Sequence, residues 1–469
     1  MDRKTKIIVT LGPAVSDAQR LGELIRAGMN VARINTSHAD QDEIARQISL
    51  LREVAAAENS LVGIMLDLSG PKIRVANVGA DGYLLEAGAE LTLGTVNEAD
   101  LQVRPEVGFK EVGNDARVML DDGKIHLKVM EHISESMLKV QVVYGGRLFP
   151  NKGVNFPGVA LDVPALTQAD ESNLRFGLQQ GIDWVALSFV RSPEDRQGIE
   201  TIFDEVGIRV PVMAKVEKPE AVENLDSIID VFDGIMVARG DLGVEMPLEE
   251  VPLIQKSIIA ACNAAGKPVV TATQLLDSMI SAPTPTRAEV NDVANAIFDG
   301  TDALMLSNET AVGDYPIKAV ETLNSIAMAT EAAALARQTD RVGGISVTIG
   351  SAISHAACTI ARECSFPVIV TMTHSGITAR GVARFRPQAN IVACSPAIEV
   401  CRQLQLVWGV RALPVDELQS TDEMVANAER QLLKHGLISK GEYFVFTAGV
   451  PSGMAGTTNL LKVHQVGGH

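Results

Sequence analysis

Eight short apolar runs with β-type residues recur between residues 6 and 307, and helical stretches separate them. The runs are 6–11, 30–35, 61–67, 183–189, 210–216, 234–238, 268–272 and 303–307. The helical stretches begin with signals such as Ser192-Pro193-Glu194 and end near turn glycines such as Gly181. This alternation is typical of parallel strands joined by helices, and eight units are the number that closes a barrel. The sequence therefore predicts an α/β fold based on a (β/α)8 TIM barrel.

The interval from Pro71 to about Phe156 breaks this rhythm, because it has short β-type pieces between frequent glycines and no long helical period. It predicts a small β-barrel inserted after the third strand, where it would lie over the carboxyl edge as a lid. After Ala336 the alternation restarts, with strands predicted at 367–373, 390–395, 407–415, 442–447 and 459–466. We therefore expect a catalytic barrel at 1–70 and 158–336, a lid domain at 71–157 and a C-terminal α/β domain at 337–469.

Charge and cysteine content limit the partners. The chain has 41 Lys and Arg against 58 Asp and Glu, a formal charge of -17, which would repel a nucleic-acid backbone. Five cysteines without a C-x-x-C pair are typical of reduced thiols, so we expect no disulfides. No apolar run approaches the roughly 20 residues of a membrane span, and the start does not resemble a signal peptide. We expect a soluble, cytoplasmic protein with no nucleic-acid or membrane partner.

Acidic and basic residues end two of the predicted strands. Lys215 and Glu217 share a face at the end of one strand because residues i and i+2 point the same way, and Asp241 follows the next strand. In neighbouring parallel strands, two carboxylates and one ammonium would meet at the carboxyl edge. Carboxylate oxygens select Mg²⁺ or Mn²⁺, and such a site suits phosphoryl transfer. The alternative is that these charges are only solvated loop entries.

Other predicted strand ends are also polar. The residues are Arg33, Asn35, Ser37 and His38 after the second strand, Asp67, Lys72 and Arg74 after the third, and Thr273 after the seventh. A barrel brings these ends to one pocket. Guanidinium groups match phosphate and carboxylate oxygens, so the set predicts a phosphorylated, carboxylated substrate held through a divalent metal.

At this level of detail the chain resembles the pyruvate kinases over essentially its whole length. The matching stretches are 5–14, 29–35, 66–74, 152–155, 215–217, 234–245, 272–274 and 285–289. The resemblance implies a catalytic barrel, an inserted lid and a C-terminal regulatory domain. It also implies an allosteric, homotetrameric phosphotransferase of glycolysis, which needs Mg²⁺ or Mn²⁺ and converts phosphoenolpyruvate and ADP into pyruvate and ATP.

The resemblance assigns roles to individual residues. Glu217 and Asp241 would ligate the metal, Lys215 would stabilise the transferred phosphoryl group, and Thr273 would lie on the proton route. The implied substrate contacts are Arg33, Lys215, Thr273 and the backbone of Arg239, Gly240 and Asp241. The implied nucleotide contacts are Arg33, His38, Arg74, Lys152 and Asn155, with Asp162 as a weaker candidate on the return from the lid.

The monovalent-cation site departs from the potassium-dependent pattern of the family. Its implied ligands are Asn35, Ser37, Asp67 and the carbonyl of Leu68. Lys72 stands where K⁺-requiring relatives carry Glu, and a fixed ammonium could supply the missing charge as a catalytic residue. We therefore predict that K⁺ is not required; the alternative is that Lys72 is an ordinary surface lysine.

A loop in the C-terminal unit contains Thr373, His374, Ser375, Gly376 and Thr378 between a strand and a helix. Hydroxyl and amide groups at a helix start can bind a phosphate, and the family binds sugar-phosphate effectors here. The facing loop at 448–459 has no Lys or Arg, which favours a monophosphate, a nucleotide or no effector over a bisphosphate. A plain capped loop is the alternative.

Two other functions stay open from the residues alone. A metal-dependent lyase or aldolase of the phosphoenolpyruvate/pyruvate type also uses carboxylates at barrel strand ends, but it gives no reason for the lid or the second α/β domain. A metabolite sensor on the same fold would be favoured by loss of the catalytic positions, and those positions are present.

Overall fold

The structure is a computed structural model, and it describes residues 3–159, 161, 163–336, 348–418, 420–450 and 458–468. The first strands are β1 (Lys6–Thr10), β2 (Val31–Asn35) and β3 (Gly63–Asp67). The next are β4 (Arg74–Val75), β5 (Tyr83–Leu85), β6 (Glu90–Gly94), β7 (Leu101–Arg104), β8 (Arg117–Leu120), β9 (Ile125–Ser134), β10 (Met137–Tyr144), β11 (Gly146–Leu148) and β12 (Val154–Asn155). They are followed by β13 (Trp184–Leu187), β14 (Val212–Val216), β15 (Gly234–Ala238), β16 (Val269–Ala272) and β17 (Ala303–Leu306). The last are β18 (Val368–Met372), β19 (Asn390–Ser395), β20 (Val410–Pro414), β21 (Tyr443–Gly449) and β22 (Thr458–Gln465).

The α-helices alternate with the strands outside the inserted segment. They are α1 (Ala18–Ala27), α2 (Gln41–Ala57), α3 (Gln168–Gln179), α4 (Gln197–Val206), α5 (Pro219–Glu223), α6 (Leu225–Val231), α7 (Arg239–Glu245), α8 (Val251–Ala265), α9 (Arg287–Asp299), α10 (Asn308–Ala311), α11 (Pro316–Ala336), α12 (Ile349–Glu363), α13 (Ile377–Ala383), α14 (Ile398–Gln403) and α15 (Thr421–Lys434). Short 3-10 turns lie at Pro13–Val15, Pro193–Arg196, Asp277–Ile280 and Leu404–Leu406.

Eight parallel strands close the first sheet into a barrel in the order β1-β17-β16-β15-β14-β13-β3-β2. Successive residues of a barrel strand pack into two different apolar cores. Ile7 and Val9 pack towards the helices, whereas Ile8 packs with Met65 and Trp184 in a separate cluster inside the barrel. Because both faces of these strands are covered, their sequences read as continuous apolar runs. The predicted barrel is therefore confirmed.

The segment between β3 and β13 forms a second sheet, in the order β12-β8-β9-β10-β6-β7-β4. Its two edges are joined by backbone hydrogen bonds from Val75 N to Lys152 O and from Val154 N to Ile73 O, each 2.9 Å long. This unit has its own apolar core, which includes Phe109. The chain enters and leaves it on these two adjacent segments, so the insertion is attached to the barrel through a narrow connection.

The C-terminal sheet has the order β20-β19-β18-β21-β22, and all its pairings are parallel except that of β21 with β22. Helices α12 and α13 pack on one face and α15 packs on the other. The strand predicted to begin at 407 begins at Val410, because the positive φ of 67° at Gly409 interrupts the extended run. The predicted start of the C-terminal domain, at residue 337, lies outside the described residues.

The described part of the chain also bears on redox state and membranes. All five cysteines are free thiols. None of the helices in the described ranges combines the length and apolar character that a bilayer span needs.

Candidate active site

Lys215 is the central cation of the charged cluster at the carboxyl edge of the barrel. Its side chain is buried near the end of β14, and Nζ lies 2.7 Å from Ser188 Oγ, 2.9 Å from Glu217 Oε1 and 3.4 Å from Asp67 Oδ1. Burial alone would lower the pKa of Lys215, but the carboxylates of Asp67 and Glu217 outweigh it and raise the pKa. Lys215 is therefore a fixed ammonium.

Arg33 and Asp67 form a buried ion pair beside Lys215. Arg33 Nε lies 2.6 Å from Asp67 Oδ2, and its guanidinium also donates to Thr10 Oγ1 at 3.1 Å. Burial acts to raise the pKa of Asp67, but Arg33 and Lys215 hold that pKa below its usual value. Asp67 is thus a carboxylate that orients two cations towards the same pocket.

Glu217 follows β14 and is almost completely buried. Its Oε2 accepts a 2.8 Å hydrogen bond from the backbone N–H of Phe189, whereas Oε1 faces Lys215 without hydrogen-bond geometry. Burial is the largest influence and raises the pKa of Glu217, despite the opposing effect of Lys215. The carboxylate therefore has an acceptor oxygen that a further positive group could use.

Asp241 lies in the first turn of α7 and pairs with a lysine from the entrance to the insertion. Lys72 Nζ donates to Asp241 Oδ1 at 2.7 Å and lies 4.0 Å from Asp122 of the insertion. Burial acts to raise the pKa of Asp241, but Lys72 holds it below its ordinary value. The predicted catalytic lysine and the predicted metal ligand are therefore in direct contact.

Glu217 and Asp241 fit a Mg²⁺ or Mn²⁺ ion in part. Their donors are hard carboxylate oxygens, and Glu217 Oε1 accepts no hydrogen bond. Among the described residues, no group of three or more His, Cys, Asp or Glu side chains is arranged around one metal position. These two carboxylates would thus supply only part of a coordination shell, and substrate and water oxygens would complete it.

The Arg239-Gly240-Asp241 turn is held against Thr273. Thr273 Oγ1 accepts from Gly240 N at 2.7 Å and donates to Ala272 O at 2.6 Å. Arg239 is used within the protein, since it donates to Asp292 at 2.7 and 2.8 Å and to Thr273 O at 2.7 Å. Thr273 has a φ of 67°, a left-handed conformation that a β-branched residue rarely adopts and that strained functional sites often contain.

The four predicted monovalent-cation positions bond to the protein itself. Ser37 N donates to Asn35 Oδ1 at 3.1 Å, and Ser37 Oγ donates to Ser69 Oγ at 2.9 Å. The carbonyl of Leu68 accepts from Ser188 Oγ at 2.6 Å, and Asp67 is engaged by Arg33 and Lys215. The contacts of Lys72 are with the Asp241 side of the pocket rather than with these positions.

The predicted nucleotide contacts are on β2 and the residues after it, on β4 and on the return segment of the insertion. Burial lowers the pKa of the His38 imidazole, and the nearby guanidinium groups of Arg74 and Arg33 lower it further. Lys152 instead pairs with Asp121 at 2.7 Å, and the side chain of buried Asn155 donates to Glu245 Oε1 at 2.8 Å. Asp162 lies outside the described residues.

The candidate effector loop is closed by its own hydrogen bonds. Gly376 N donates to Thr373 Oγ1 at 2.9 Å, and Thr378 Oγ1 lies 2.7 Å from Thr458 Oγ1. His374 Nε2 lies 3.8 Å from Glu417, and Arg380 donates to the carbonyl of Ser375 at 3.3 Å. Residues 451–457 of the facing loop lie outside the described ranges.

Sequence reasoning missed the groups that orient the charged residues. Ser188 Oγ accepts from Lys215 and donates to Leu68 O, and Phe189 N–H binds Glu217. Both residues follow β13, so their position at a strand end was the available signal. Glu245 and Lys218 were also missed, although each lies within a few residues of a predicted metal ligand.

These features define a (β/α)8-barrel enzyme with a charged rim suited to an anionic substrate. The chain matches two family models, "Pyruvate kinase, barrel domain" over residues 2–320 and "Pyruvate kinase, alpha/beta domain" over residues 351–464. Together the two matches cover most of the described chain. The chain belongs to the pyruvate kinase family and is a phosphotransferase.

Individual relatives are similar over nearly the whole chain. Pyruvate kinase 2 of Synechocystis sp. is 45% identical over 473 residues, which cover 99% of this chain and 80% of the relative. Pyruvate kinase of Geobacillus stearothermophilus is 44% identical over 476 residues, covering 99% of this chain and 81% of the relative. Pyruvate kinase of Staphylococcus epidermidis is 41% identical over 473 residues, with coverage of 99% and 81%.

Proposed function

We propose that this enzyme transfers the phosphoryl group of phosphoenolpyruvate to ADP, giving ATP and pyruvate in glycolysis, with Mg²⁺ or Mn²⁺ as cofactor. The observation that carries the proposal is the contact set of Lys215, a buried ammonium between Glu217 and Asp67 at the carboxyl edge of the barrel. Such a cation can stabilise charge on a transferred phosphoryl group without being neutralised.

The chain's own residues would bind and orient the substrate. A bound Mg²⁺ or Mn²⁺, held by Glu217 and Asp241, would supply positive charge to the phosphate and carboxylate oxygens. Lys215 would donate to the phosphoryl oxygens during transfer and to the enolate oxygen afterwards. Arg33, held in place by Asp67, would contact the phosphate.

The turn that carries Asp241 and the residue beside it would complete the substrate pocket. The backbone of Arg239, Gly240 and Asp241 would receive the substrate carboxylate. Thr273, whose hydroxyl already contacts Gly240 N–H, would lie on the proton route to the enolate carbon. Its strained backbone supports a functional role, because such strain persists where the surroundings enforce it.

We also propose that K⁺ is not required, because Lys72 supplies a permanent positive charge at the rim. Its ammonium contacts Asp241 and approaches Asp122. Asn35, Ser37, Asp67 and Leu68 would then act as structural residues of the pocket. Arg33, His38, Arg74, Lys152 and Asn155 would contact the nucleotide.

The remaining family features stay proposals for this chain. They are the division into a catalytic barrel (1–70 and 158–336), a lid (71–157) and a regulatory domain (337–469), a homotetrameric assembly, and a phosphorylated effector at Thr373–Thr378. The closed hydrogen bonding of Thr373 and Gly376 supports a preformed loop.

A coupled assay for pyruvate tests the reaction. With phosphoenolpyruvate, ADP and Mg²⁺ the enzyme should form pyruvate and ATP in equal amounts. Omission of ADP or chelation of the metal should stop both products, and Glu217→Gln should reduce turnover by at least a hundredfold, as expected for a metal ligand. Pyruvate formation at an unchanged rate without ADP would instead indicate that water accepts the phosphoryl group, which is the reaction of a phosphatase.

A further inference from the structure

Glu245 is a buried carboxylate to which the proposed reaction gives no role. Its side chain is 1% exposed. Glu245 is the last residue of α7, the helix whose first turn carries Asp241. Oε1 accepts two hydrogen bonds, one from Asn155 Nδ2 at 2.8 Å and one from Lys218 Nζ at 2.7 Å. Burial of an ionised carboxylate costs several kcal/mol unless it is paired, so these contacts are strongly maintained.

Asn155 links Glu245 to the inserted domain. It is the last residue of β12, on the segment where the insertion returns to the barrel. The preceding residue, Val154, donates its backbone N–H to Ile73 O on the outgoing segment at 2.9 Å. Glu245 therefore fixes the returning segment, and through it the outgoing one, to the barrel rim.

Lys218 links Glu245 to the other carboxylate of the site. It directly follows Glu217, and its ammonium lies 6.0 Å from the centre of the Phe189 ring, within range of a cation–π contact. The backbone N–H of Phe189 donates to Glu217 Oε2 at 2.8 Å. Glu245 is thus connected to Glu217 through Lys218 and Phe189.

Phe189 needs support from its neighbours. Its φ of 56° is strained for an aromatic residue and persists only where the surrounding structure enforces it. Gly70 also lies close to this ring, since an added Cβ at Gly70 would come within 2.7 Å of Phe189 Cδ2. The ring therefore has two close neighbours, Gly70, which precedes the insertion, and Lys218, which Glu245 holds.

We propose that Glu245 is a positioning residue that sets the Glu217 and Asp241 carboxylates relative to each other and holds the inserted domain on the barrel rim. One carboxylate oxygen connects the helix of Asp241, the loop of Glu217 and the return segment of the insertion. The inference rests on the proposed function, because it takes Glu217 and Asp241 as metal ligands. Residues that orient metal ligands affect metal affinity by about 10- to 100-fold.

The first measurement is the Mn²⁺ dissociation constant of the enzyme without substrates, from electron paramagnetic resonance of free Mn²⁺. Glu245→Asp keeps the charge but withdraws the carboxylate by one methylene, so Mn²⁺ should bind about tenfold more weakly. Glu249→Asp is the matched control, since Glu249 is exposed just beyond α7 and should leave the constant unchanged.

Lys218→Met separates positioning from simple charge effects. Removal of a cation near two metal ligands would, through space alone, strengthen Mn²⁺ binding. Loss of the contacts to Glu245 and Phe189 should instead weaken it, by about tenfold. This variant also decides the matter if Glu245→Asp does not fold, which its melting temperature would reveal.

The second measurement is hydrogen exchange at the hinge. In Glu245→Asp the amide of Val154 should exchange about tenfold faster than in the wild type, because the return segment loses its attachment. Unchanged protection there, or Mn²⁺ constants within twofold of wild type for both variants, would overturn the inference. Failure of the metal site itself is distinguishable: the wild type would then not bind Mn²⁺, or Glu217→Gln would bind it equally well.

Discussion

Lys72 Nζ lies 2.7 Å from Asp241 Oδ1, so the segment that enters the inserted domain is ion-paired with the first turn of α7 on the barrel rim. Both side chains are about one-fifth exposed, at 22% and 23%. The same ammonium lies 4.0 Å from Asp122 at a turn of the insertion. A permanent positive charge thus lies between a proposed metal ligand and a turn of the inserted segment.

Replacement of Lys72 by Glu should make the enzyme depend on K⁺. The change removes the ammonium and adds a carboxylate next to Asp241, so the pocket would need an external monovalent cation. We expect maximal rates of the wild type to agree within twofold in KCl and in tetramethylammonium chloride of equal ionic strength. The variant should be stimulated by K⁺ at least tenfold, about 1.4 kcal/mol of transition-state stabilisation. Equal rates of Lys72→Glu in the two salts would show that Lys72 does not replace the ion.

Lys215→Met should abolish turnover while leaving metal binding largely intact. Methionine retains the length of the side chain but cannot stabilise the transferred phosphoryl group, so kcat should fall by at least a thousandfold. Because Glu217 and Asp241 stay in place and lose a competing cation, Mn²⁺ should bind at least as tightly as in the wild type. A kcat within tenfold of wild type would remove Lys215 from the reaction, whereas lost Mn²⁺ binding would indicate collapse of the site.

The barrel strands and the residues at their ends could be predicted, because they depend on local sequence patterns. The long-range contacts that orient the side chains of the site could not be predicted in this way. Lys215 and Glu217 are two residues apart at a strand end, so the period of a strand places them on one face. The contact of Lys72 with Asp241 joins residues 169 positions apart, and its geometry depends on how the insertion sits on the barrel. Nothing in the pattern around Glu245 distinguishes it from an exposed helix-end glutamate, because its partners Asn155 and Lys218 lie 90 and 27 positions away.

The same difference between local pattern and tertiary structure holds for Thr273 and for the start of β20. Strand-end positions predicted Thr273, but neither its φ of 67° nor the contact of its hydroxyl with Gly240 N–H could be read from the sequence. The delayed start of β20 likewise arises from Gly409, whose positive φ sequence periodicity does not reveal.

Glu289→Ala should destabilise the barrel, and the effect should disappear in acid. Glu289 accepts from the backbone and hydroxyl of Ser278 at 2.7 and 2.5 Å and from those of Thr286 at 2.7 and 2.9 Å. Partial burial acts to raise its pKa, but these hydrogen bonds outweigh it and lower the pKa. We expect a loss of about 2–3 kcal/mol at pH 7.

The sign of the pH effect follows from the lowered pKa of Glu289. Its stabilisation is fully present above the unfolded-state value, about 4.3, and is lost as the pH falls through the lower folded-state pKa. The melting temperatures of wild type and Glu289→Ala should therefore differ at pH 7 and converge in that acid range. Glu53→Ala, an exposed change on α2, serves as the control and should show no such convergence. A difference in melting temperature between wild type and Glu289→Ala that stays constant with pH would contradict a stabilising role of the ionised Glu289 carboxylate.

Lys4→Met should weaken the attachment of the C-terminal domain to the barrel. Lys4 precedes β1 and is 5% exposed, and its ammonium donates to the carbonyls of Pro387, Gln388 and Ala389 at 2.6, 2.7 and 3.0 Å. These carbonyls lie on the segment between α13 and β19. The ammonium also lies 5.1 Å from the centre of the Trp408 ring.

Methionine fills a similar volume but donates no hydrogen bond, so buried carbonyl oxygens would lose their partner. We expect a destabilisation of about 2–4 kcal/mol, since hydrogen bonds to charged groups contribute more than neutral ones.

Because the lost contacts join two domains, guanidinium unfolding monitored at Trp408 in the C-terminal domain and at Trp184 in the barrel should separate into two transitions. Each probe can be read alone in a variant with the other tryptophan replaced by Phe, and the same variant with Lys4 intact is its reference, because Trp184 Nε1 itself donates to Gln403 O of the C-terminal domain at 3.0 Å. Lys440→Met, which removes an exposed ammonium within the C-terminal domain, should leave the two transitions coincident. Coincident transitions in Lys4→Met, with an unchanged midpoint, would show that this contact does not couple the domains.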